Sequence, residues 1–304
     1  MAPRRREPAR RLPRPGLGTG SWPAERSAFL TSARPPVDGH LATTTDCALV
    51  TGASSGIGAA FARALRTRGR RLFLVARRRE HLRRLADELG GETLVGYLAL
   101  DLTEEGAAAA VEAELRSRSL AVDLLVNNAG VGHTGPFHEA PRERVLDIVD
   151  LNVRSVVELT RAFLPGMVER RRGAIVNVVS MSAFQAVPFL AAYAASKAFL
   201  LSFTESVAAE VAPSGVRVQA LCPGLVRTGF QEVAGTDRVR FDRTPSTPAE
   251  VVVAASLDAL EKGPVRVVPG WRDRLSLAAQ RVVPRGLVVR VASELFRPAN
   301  DRKP

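Results

Sequence analysis

Seven short apolar runs, separated by stretches with helical spacing, occupy residues 47–269 of this chain. The runs predict strands at 47–51, 71–76, 93–100, 123–127, 174–180, 216–222 and 265–269. The stretches between them predict helices at about 56–68, 79–89, 104–116, 142–168, 191–211 and 248–260. Runs that are apolar at every position are typical of parallel strands covered on both faces. We therefore predict an α/β fold, a doubly wound parallel seven-stranded sheet with helices on both faces.

The two ends of the chain differ in composition from this alternating part. Residues 1–42 are rich in arginine and proline and predict a disordered arm. Residues 43–270 form the predicted domain, and residues 271–304 predict a basic extension of C-terminal amphipathic helices. The formal net charge of +12 comes from the ends, because residues 41–261 hold 25 basic and 25 acidic side chains. This neutral body argues against a nucleic-acid-binding domain.

The cysteines, the histidines and the N-terminal segment restrict the cellular compartment and the metal chemistry that we expect of this protein. Cys47 and Cys222 lie in apolar strands and predict buried, reduced thiols. The basic start is not followed by the apolar segment of a secretory signal, so we expect a cytoplasmic protein. The four histidines are scattered along the chain, and no metal site is expected.

The turn after the first strand is the first candidate binding segment. It reads Thr51-Gly52-Ala53-Ser54-Ser55-Gly56-Ile57-Gly58 and leads into a predicted helix. Glycines at this place let the backbone approach a pyrophosphate at a helix N-terminus. Glycine can also serve the geometry of such a turn alone. The turn by itself leaves both interpretations open.

Polar residues also follow the second, third and fourth strands. Arg77 lies where a site for NAD usually carries an acid, and an arginine there suits a 2′-phosphate. A solvated basic helix start is the alternative, chiefly for the two arginines after it. Asp101, followed by Leu102, either lies beside an adenine ring or caps the next helix. Asn128-Ala129-Gly130 either lines a ligand or forms only a turn.

Tyr193, one of two tyrosines in the chain, precedes Lys197 by four residues. Residues at this spacing lie on one helix face. A lysine there would lower the pKa of the phenol toward working pH, and the tyrosine could then act as acid or base toward a carbonyl or hydroxyl. The alternative is a tyrosine packed at a helix start beside an exposed lysine.

Taken together, TGASSGIG, NNAG, YAASK and CPGLVRT stand in an order that resembles the short-chain dehydrogenase/reductase family, in its NADP-preferring branch, over residues 46–270. The resemblance implies a Rossmann-type fold. It implies that Tyr193 donates or accepts a proton and that Lys197 holds the nicotinamide ribose. It also implies that Ser180 orients the substrate carbonyl and that Asn152 holds a water in a proton relay. Val179 stands where the family commonly has a further serine, which leaves the catalytic Ser180 intact.

The resemblance also implies a set of cofactor contacts. These are Gly52, Ser54, Ser55, Gly56, Ile57, Gly58, Arg77, Asp101, Leu102, Asn128, Ala129, Gly130, Tyr193, Lys197, Pro223, Gly224, Val226 and Thr228.

From these residues we expect an oxidoreductase that uses NADP(H) in preference to NAD(H) and interconverts an apolar ketone or aldehyde and its alcohol. The alternative is a catalytically silent dinucleotide-binding sensor or scaffold. The substrate pocket is expected to be apolar. An apolar pocket fits both a free carbonyl compound and an acyl thioester, so both substrate classes stay open. Its expected lining is Met181, Ala183, Phe184, Val187, Phe189, Leu225, Val226 and Phe230.

The expected partners are a small apolar carbonyl or alcohol substrate and further copies of the chain, and nucleic acid is not expected. The C-terminal helices carry apolar residues at helical spacing among arginines. They either pack on protein or make peripheral contact with an anionic membrane. On the membrane interpretation, removal of the chain beyond Gly270 leaves activity on a soluble substrate intact.

Overall fold

The computed structural model describes residues 45–235, 246–280 and 282–298. Its strands are β1 (Asp46–Thr51), β2 (Leu72–Ala76), β3 (Leu94–Ala99), β4 (Ala121–Asn127), β5 (Ala174–Val178), β6 (Arg217–Leu221) and β7 (Arg266–Val267). Its α-helices are α1 (Gly56–Thr67), α2 (Arg79–Leu89), α3 (Ala107–Ser117), α4 (Arg142–Val149), α5 (Ser155–Glu169), α6 (Ala191–Val211), α7 (Phe230–Ala234), α8 (Ala249–Lys262), α9 (Trp271–Ala279) and α10 (Arg285–Phe296). The predicted arm, residues 1–42, lies outside the described residues.

The strands form one parallel sheet in the order β3-β2-β1-β4-β5-β6-β7. This confirms the predicted Rossmann-type doubly wound sheet. Alternate residues of β1 enter two different cores, with Ala48 and Val50 on one face and Cys47 and Leu49 on the other. All four are fully buried because helices cover both faces of the sheet. Burial on both faces is the physical reason that the strands are apolar at every position.

Both cysteines are free and buried, as the sequence predicts. Burial raises the pKa of the Cys47 thiol and of the Cys222 thiol to about 12, so both remain protonated. Among the described residues, no group of three or more histidine, cysteine, aspartate or glutamate side chains could hold a metal ion.

Several element boundaries differ from the predicted ones. The helix predicted for residues 142–168 is two helices, α4 and α5, separated by a π-helical turn over Asp150–Arg154. The helix predicted from residue 104 begins at Ala107, because Gly106 adopts a left-handed φ of 77°. The last strand shortens to Arg266–Val267. The first two differences arise where the backbone departs from regular α-helical geometry.

The strand order reverses between β1 and β4, which places a crevice at their carboxyl ends. From β1 the sheet extends through β2 to β3 on one side, and from β4 through β5 and β6 to β7 on the other. Ligands of doubly wound sheets bind outside this switch point. The turns that follow Thr51 and Asn127 therefore form the centre of the candidate site.

The C-terminal segment forms the two helices α9 and α10, which agrees with the predicted helical extension. Ala292 is buried, and Phe296 packs against Val187, Leu190 and Ala194. Several large apolar residues of this segment are nevertheless exposed. They are Trp271, Leu275, Val282, Leu287, Val291 and Leu295. In the part of the chain that the structure describes, no helix is long and apolar enough to cross a membrane.

Candidate active site

The glycines of the turn between β1 and α1 have steric roles. Gly52 adopts a φ of 62°, and a Cβ on it would lie 2.8 Å from the Ala129 Cα. Gly56 adopts a φ of 56°, and its Cβ would lie 2.8 Å from the Thr228 Cγ2. A Cβ on Gly58 would collide with the Gly52 carbonyl oxygen. The glycines therefore let helix α1 begin directly against the strand ends, with its N-terminal amides facing the crevice.

The segment Asn128-Ala129-Gly130 is bonded to this turn and is more than a local bend. The Thr51 hydroxyl donates to the Val126 carbonyl at 3.2 Å and accepts from the Asn128 and Ala129 amides at 3.0 and 3.1 Å. The Asn128 Nδ2 donates to the Thr51 and Gly52 carbonyls at 2.9 and 3.1 Å. These bonds join the carboxyl ends of β1 and β4 and shape the floor of the crevice.

Asp101 lies at the far end of the crevice, after β3. Its Oδ1 accepts from the Thr103 amide at 3.0 Å and from the Thr103 hydroxyl at 2.8 Å. Burial raises the pKa of this carboxyl, but the bonds from Thr103 and the charge of Arg77 lower it overall. Asp101 therefore stays ionised and closes a turn, and the cap of α3 is Gly106 rather than Asp101. Leu102 beside it is buried.

Two arginines after β2 reach different parts of the crevice. Arg77 forms an ion pair with Asp101, with 3.4 Å between Nη1 and Oδ2. Arg78 donates from Nη2 to the Ser55 hydroxyl at 2.9 Å and to the Ser54 hydroxyl at 3.4 Å. Arg78 thus contacts the glycine-rich turn, which the interpretation as a solvated helix start did not anticipate. No local sequence pattern predicts this contact of Arg78, because it joins two separate turns.

Asn152 lies in the π-helical turn and is fully buried beneath the crevice. Its Oδ1 accepts from the Val131 amide at 2.9 Å. Its Nδ2 donates to the Val131 carbonyl at 2.9 Å and to the Ser196 hydroxyl at 3.0 Å. A π-helical turn is frequent at functional sites, and here it directs the Asn152 side chain toward the segment after β4.

Ser180, Tyr193 and Lys197 meet at the carboxyl end of β5. Lys197 is buried, and its Nζ donates to the Val178 carbonyl at 2.9 Å and lies 5.8 Å from the centre of the Tyr193 ring. The Ser180 hydroxyl accepts from the Ser182 amide at 3.1 Å and is hydrogen-bonded to Tyr193. The buried lysine rules out the alternative of an exposed lysine beside a packed tyrosine.

Burial dominates the protonation of this pair. It raises the pKa of Tyr193 to about 12, although the hydrogen bond with Ser180 acts in the opposite direction. Burial also lowers the pKa of Lys197 to about 8, with the neighbouring Cys222 acting in the opposite direction. Low-dielectric surroundings disfavour the charged form of both groups. The expectation that the pKa of the phenol falls toward working pH is therefore wrong for this structure, because burial outweighs the opposing bond with Ser180, and the phenol is protonated at neutral pH.

One cavity of about 530 Å³ connects these groups. It runs from Arg77 and Asp101, past the glycine-rich turn, to Tyr193 and Lys197. Of the residues expected to contact a cofactor, all line this cavity except Gly58, which packs behind it. Of the four expected catalytic residues, Ser180, Tyr193 and Lys197 line it, and Asn152 lies below. The arrangement fits a long ligand with phosphates at the start of α1 and a reacting group near Tyr193.

Comparison with known proteins decides the family. A family profile described as short chain dehydrogenase matches residues 46–238. The chain belongs to the short-chain dehydrogenase family. As a short-chain dehydrogenase it is an oxidoreductase that acts on CH–OH groups and binds NAD or NADP.

Individual relatives and solved structures agree with this assignment. An uncharacterized oxidoreductase of Myxococcus xanthus is 42% identical over 182 residues, which cover 60% of this chain and 72% of that protein. A short-chain dehydrogenase from Sphingobium yanoikuyae, solved in complex with NADPH, is 33% identical, with a TM-score of 0.69 over 80% of this chain and 95% of that one. The bulky-bulky ketone specific alcohol dehydrogenase from Comamonas testosteroni is 30% identical, with a TM-score of 0.65 over 80% and 93%.

The substrate end of this short-chain dehydrogenase differs in part from the expected lining. Met181, Val187, Leu225, Val226 and Phe230 line the cavity as expected. Ala183 and Phe184 instead belong to a core cluster beneath β6, and Phe189 is not among the cavity residues. The chain after Ser180 forms a short 3-10 turn over Met181–Phe184, whose first two side chains line the cavity and whose last two pack on the core cluster.

The C-terminal helices supply a wall that the sequence pattern did not predict. Asp273, Ser276, Gln280, Leu295 and Phe296 line the same cavity. The expectation that activity survives removal of residues beyond 270 must therefore be revised, because this removal would open the cavity. No sequence period distinguishes these residues from others on α9 and α10, since the contacts depend on how the helices dock.

Proposed function

We propose that this short-chain dehydrogenase reduces an apolar ketone or aldehyde to its alcohol with NADPH and catalyses the reverse reaction with NADP. The observation that carries the proposal is the Tyr193 hydroxyl, hydrogen-bonded to Ser180 at the substrate end of the cavity, with Lys197 buried beside it. Bound NADPH supplies the hydride for the carbonyl carbon.

Four residues of the chain share the remaining work in this proposal. Ser180 donates a hydrogen bond to the substrate oxygen and orients it, and Tyr193 protonates that oxygen. The Lys197 ammonium stabilises the phenolate that forms when Tyr193 gives up its proton. Asn152 holds the segment after β4 in place through its bonds to Val131. The Tyr193 phenol, with its pKa of about 12, holds its proton at neutral pH and so has a proton to give in the reductive direction.

The cavity wall favours apolar substrates. Met181, Val187, Leu225 and Phe230 supply its apolar surface, and the Phe230 ring lies 5.4 Å from the ring of Tyr193. A bulky ketone fits such a wall better than a small polar one. The similarity to a ketone-specific alcohol dehydrogenase supports the same substrate class.

A single screen tests the proposal and its alternative. Purified protein is mixed with NADPH and a panel of aryl, polycyclic and long-chain ketones and aldehydes, with a 3-oxoacyl thioester in a separate arm. Consumption of NADPH with formation of the alcohol supports the proposed function. NADPH binding without turnover of any carbonyl or alcohol would instead support a dinucleotide sensor.

Cofactor preference is expected to depend on the two arginines after β2. Arg77 and Arg78 both line the cavity, and both can offer a positive charge to a 2′-phosphate. Arg77→Ala and Arg78→Ala are each expected to weaken NADPH binding by about tenfold, the loss expected for a charge-assisted hydrogen bond, with little change for NADH. Titration of cofactor fluorescence measures both dissociation constants.

Arg79→Ala is the matched control, because Arg79 is exposed and is not among the cavity residues. Equal weakening of NADPH and NADH binding in either variant would show that the arginine supports the turn and does not contact the 2′-phosphate. An unchanged preference in both variants would show that neither arginine contacts the 2′-phosphate, and equal affinity of the intact protein for NADPH and NADH would contradict the assignment to NADP.

Peripheral contact with an anionic membrane is proposed for α9 and α10. Val282 is 83% exposed and Trp271 is 65% exposed, and residues 271–298 hold six arginines against two acids. A second copy of the same basic surface would meet like charge, whereas anionic lipid complements it at roughly 1 kcal/mol for each basic residue near the surface. Exposed apolar side chains among basic ones are typical of helices that lie on a bilayer.

Co-sedimentation with phosphatidylserine-containing vesicles tests this contact. We expect binding that weakens with added salt, little binding to neutral vesicles, and loss of binding in Leu275→Ser/Val291→Ser. The control is Leu146→Ser/Val149→Ser, which removes two exposed apolar side chains of α4. Equal vesicle binding by both variants, or none by the intact protein, would contradict the proposal, and a dimer lost only in the first variant would indicate packing between copies.

A further inference from the structure

Asp273, in the first turn of α9, fits into a space formed by two glycines. A Cβ on Gly224 would lie 2.5 Å from both carboxylate oxygens of Asp273, and a Cβ on Gly270 would lie 2.6 Å from its Oδ2. The Gly224 amide donates a hydrogen bond to the carboxylate. Any side chain on Gly224 would therefore push the carboxylate away. Burial raises the pKa of Asp273, while the Gly224 bond acts in the opposite direction.

The loop that Asp273 holds leads directly to the reacting groups. The carbonyl of Pro223, next to Gly224, accepts from the Met181 amide at 2.9 Å. Met181 follows Ser180, whose hydroxyl is bonded to Tyr193. A continuous set of contacts therefore runs from α9 through residues 223–224 to the catalytic hydroxyls.

Asp273 also stands at the start of the wall that closes the substrate end. Ser276 and Gln280 lie one and two turns further along the same segment and line the cavity. Phe296, near the end of α10, lines the cavity and packs on the cluster that holds Tyr193. Several large apolar side chains of these helices are exposed, among them Trp271, Leu275 and Val291, so the contact of Asp273 with Gly224 carries a larger share of their attachment to the domain.

We infer that Asp273 is a positioning residue that fastens the C-terminal helices to the loop after β6 and thereby sets the size of substrate that binds well. A bulky neutral ketone reaches the wall made by α9 and α10, whereas a small ketone reacts at Tyr193 without touching it. Asp273 also places a negative charge at this wall, which disfavours substrates with a carboxylate at that end. The inference rests on the proposed function only in its kinetic test, which needs a ketone substrate; the test by amide hydrogen exchange does not need one.

The test compares Asp273→Ala, Asp273→Asn and Gly270→Ala with the full-length protein. In Asp273→Ala the KM of a bulky aryl ketone is expected to rise about tenfold, as for loss of one charge-assisted hydrogen bond, while its kcat changes little. The KM of a small aliphatic ketone is expected to stay unchanged. Asparagine keeps an acceptor oxygen and should restore part of the loss. Gly270→Ala should reproduce the loss, because its Cβ would lie 2.6 Å from the Asp273 Oδ2 and displace the carboxylate.

Amide hydrogen exchange supplies a readout that does not need a substrate. Exchange is expected to quicken in residues 271–298 and 223–228 of Asp273→Ala, with the rest of the sheet unchanged. Glu294→Ala is the matched control, since it removes an exposed carboxylate of α10 that pairs with Arg297. Unchanged exchange in these segments overturns the inference even if the intact protein turns over no ketone. Quicker exchange with equal KM changes for small and bulky ketones overturns the role in substrate size.

Discussion

Tyr193→Phe is expected to lower kcat for ketone reduction by about 10²- to 10⁴-fold, the contribution typical of a general acid. The substitution removes the hydroxyl that gives its proton to the substrate oxygen and keeps the ring. The ring packs 5.4 Å from Phe230, and this contact survives the change. Turnover is measured by NADPH consumption at saturating ketone.

Tyr97→Phe is the matched control, because Tyr97 lies in β3 away from the cavity and packs partly buried on the core. It should keep the activity of the intact protein. NADPH affinity and the melting temperature of Tyr193→Phe should remain close to those of the intact protein. A variant that retains more than about a tenth of the activity would remove Tyr193 from the proposed mechanism.

The pH dependence of reduction is expected to follow Lys197 rather than Tyr193. The lowered pKa of Lys197, about 8, leaves the ammonium charged below that pH and neutral above it. The ammonium is needed to stabilise the phenolate, so kcat/KM should be level below pH 8 and fall by about tenfold at one pH unit above it. The pKa of Tyr193, about 12, places the loss of the phenol proton at much higher pH.

Lys197→Arg distinguishes this explanation from a general loss of activity at alkaline pH. A guanidinium stays charged across the whole range, so the fall near pH 8 should disappear in this variant even though its overall rate is lower. Lys197→Met should give a low rate without a step near pH 8. A fall at the same pH in all three proteins would show that another group causes it.

Much of the binding site could be predicted from local sequence. The glycines of the turn after β1 are needed because their neighbours would collide with a Cβ, and this need is visible as spacing in the sequence. Tyr193 and Lys197 share a helix face because they are four residues apart. The apolar strands predicted the sheet because both of its faces are covered.

Properties that depend on distant segments were predicted poorly. The pKa of Tyr193 was expected to fall, yet burial by several elements raises it. The contact of Arg78 with Ser55 joins two turns that are 23 residues apart, and no local pattern encodes it. Phe184 was expected in the substrate pocket, and it packs, partly buried, against a core cluster instead.

The sequence by itself determined the order of strands and helices, the glycine-rich turn and the pairing of Tyr193 with Lys197, because these depend on side-chain period and on neighbours within a few residues. Only the tertiary structure decided which groups are buried, and hence the protonation of the pair. It also decided that the C-terminal helices close the substrate end, with Asp273 against Gly224. Both outcomes depend on free energies of burial and packing between segments far apart in the chain. The spacing of residues within a short stretch of sequence carries no information about these free energies.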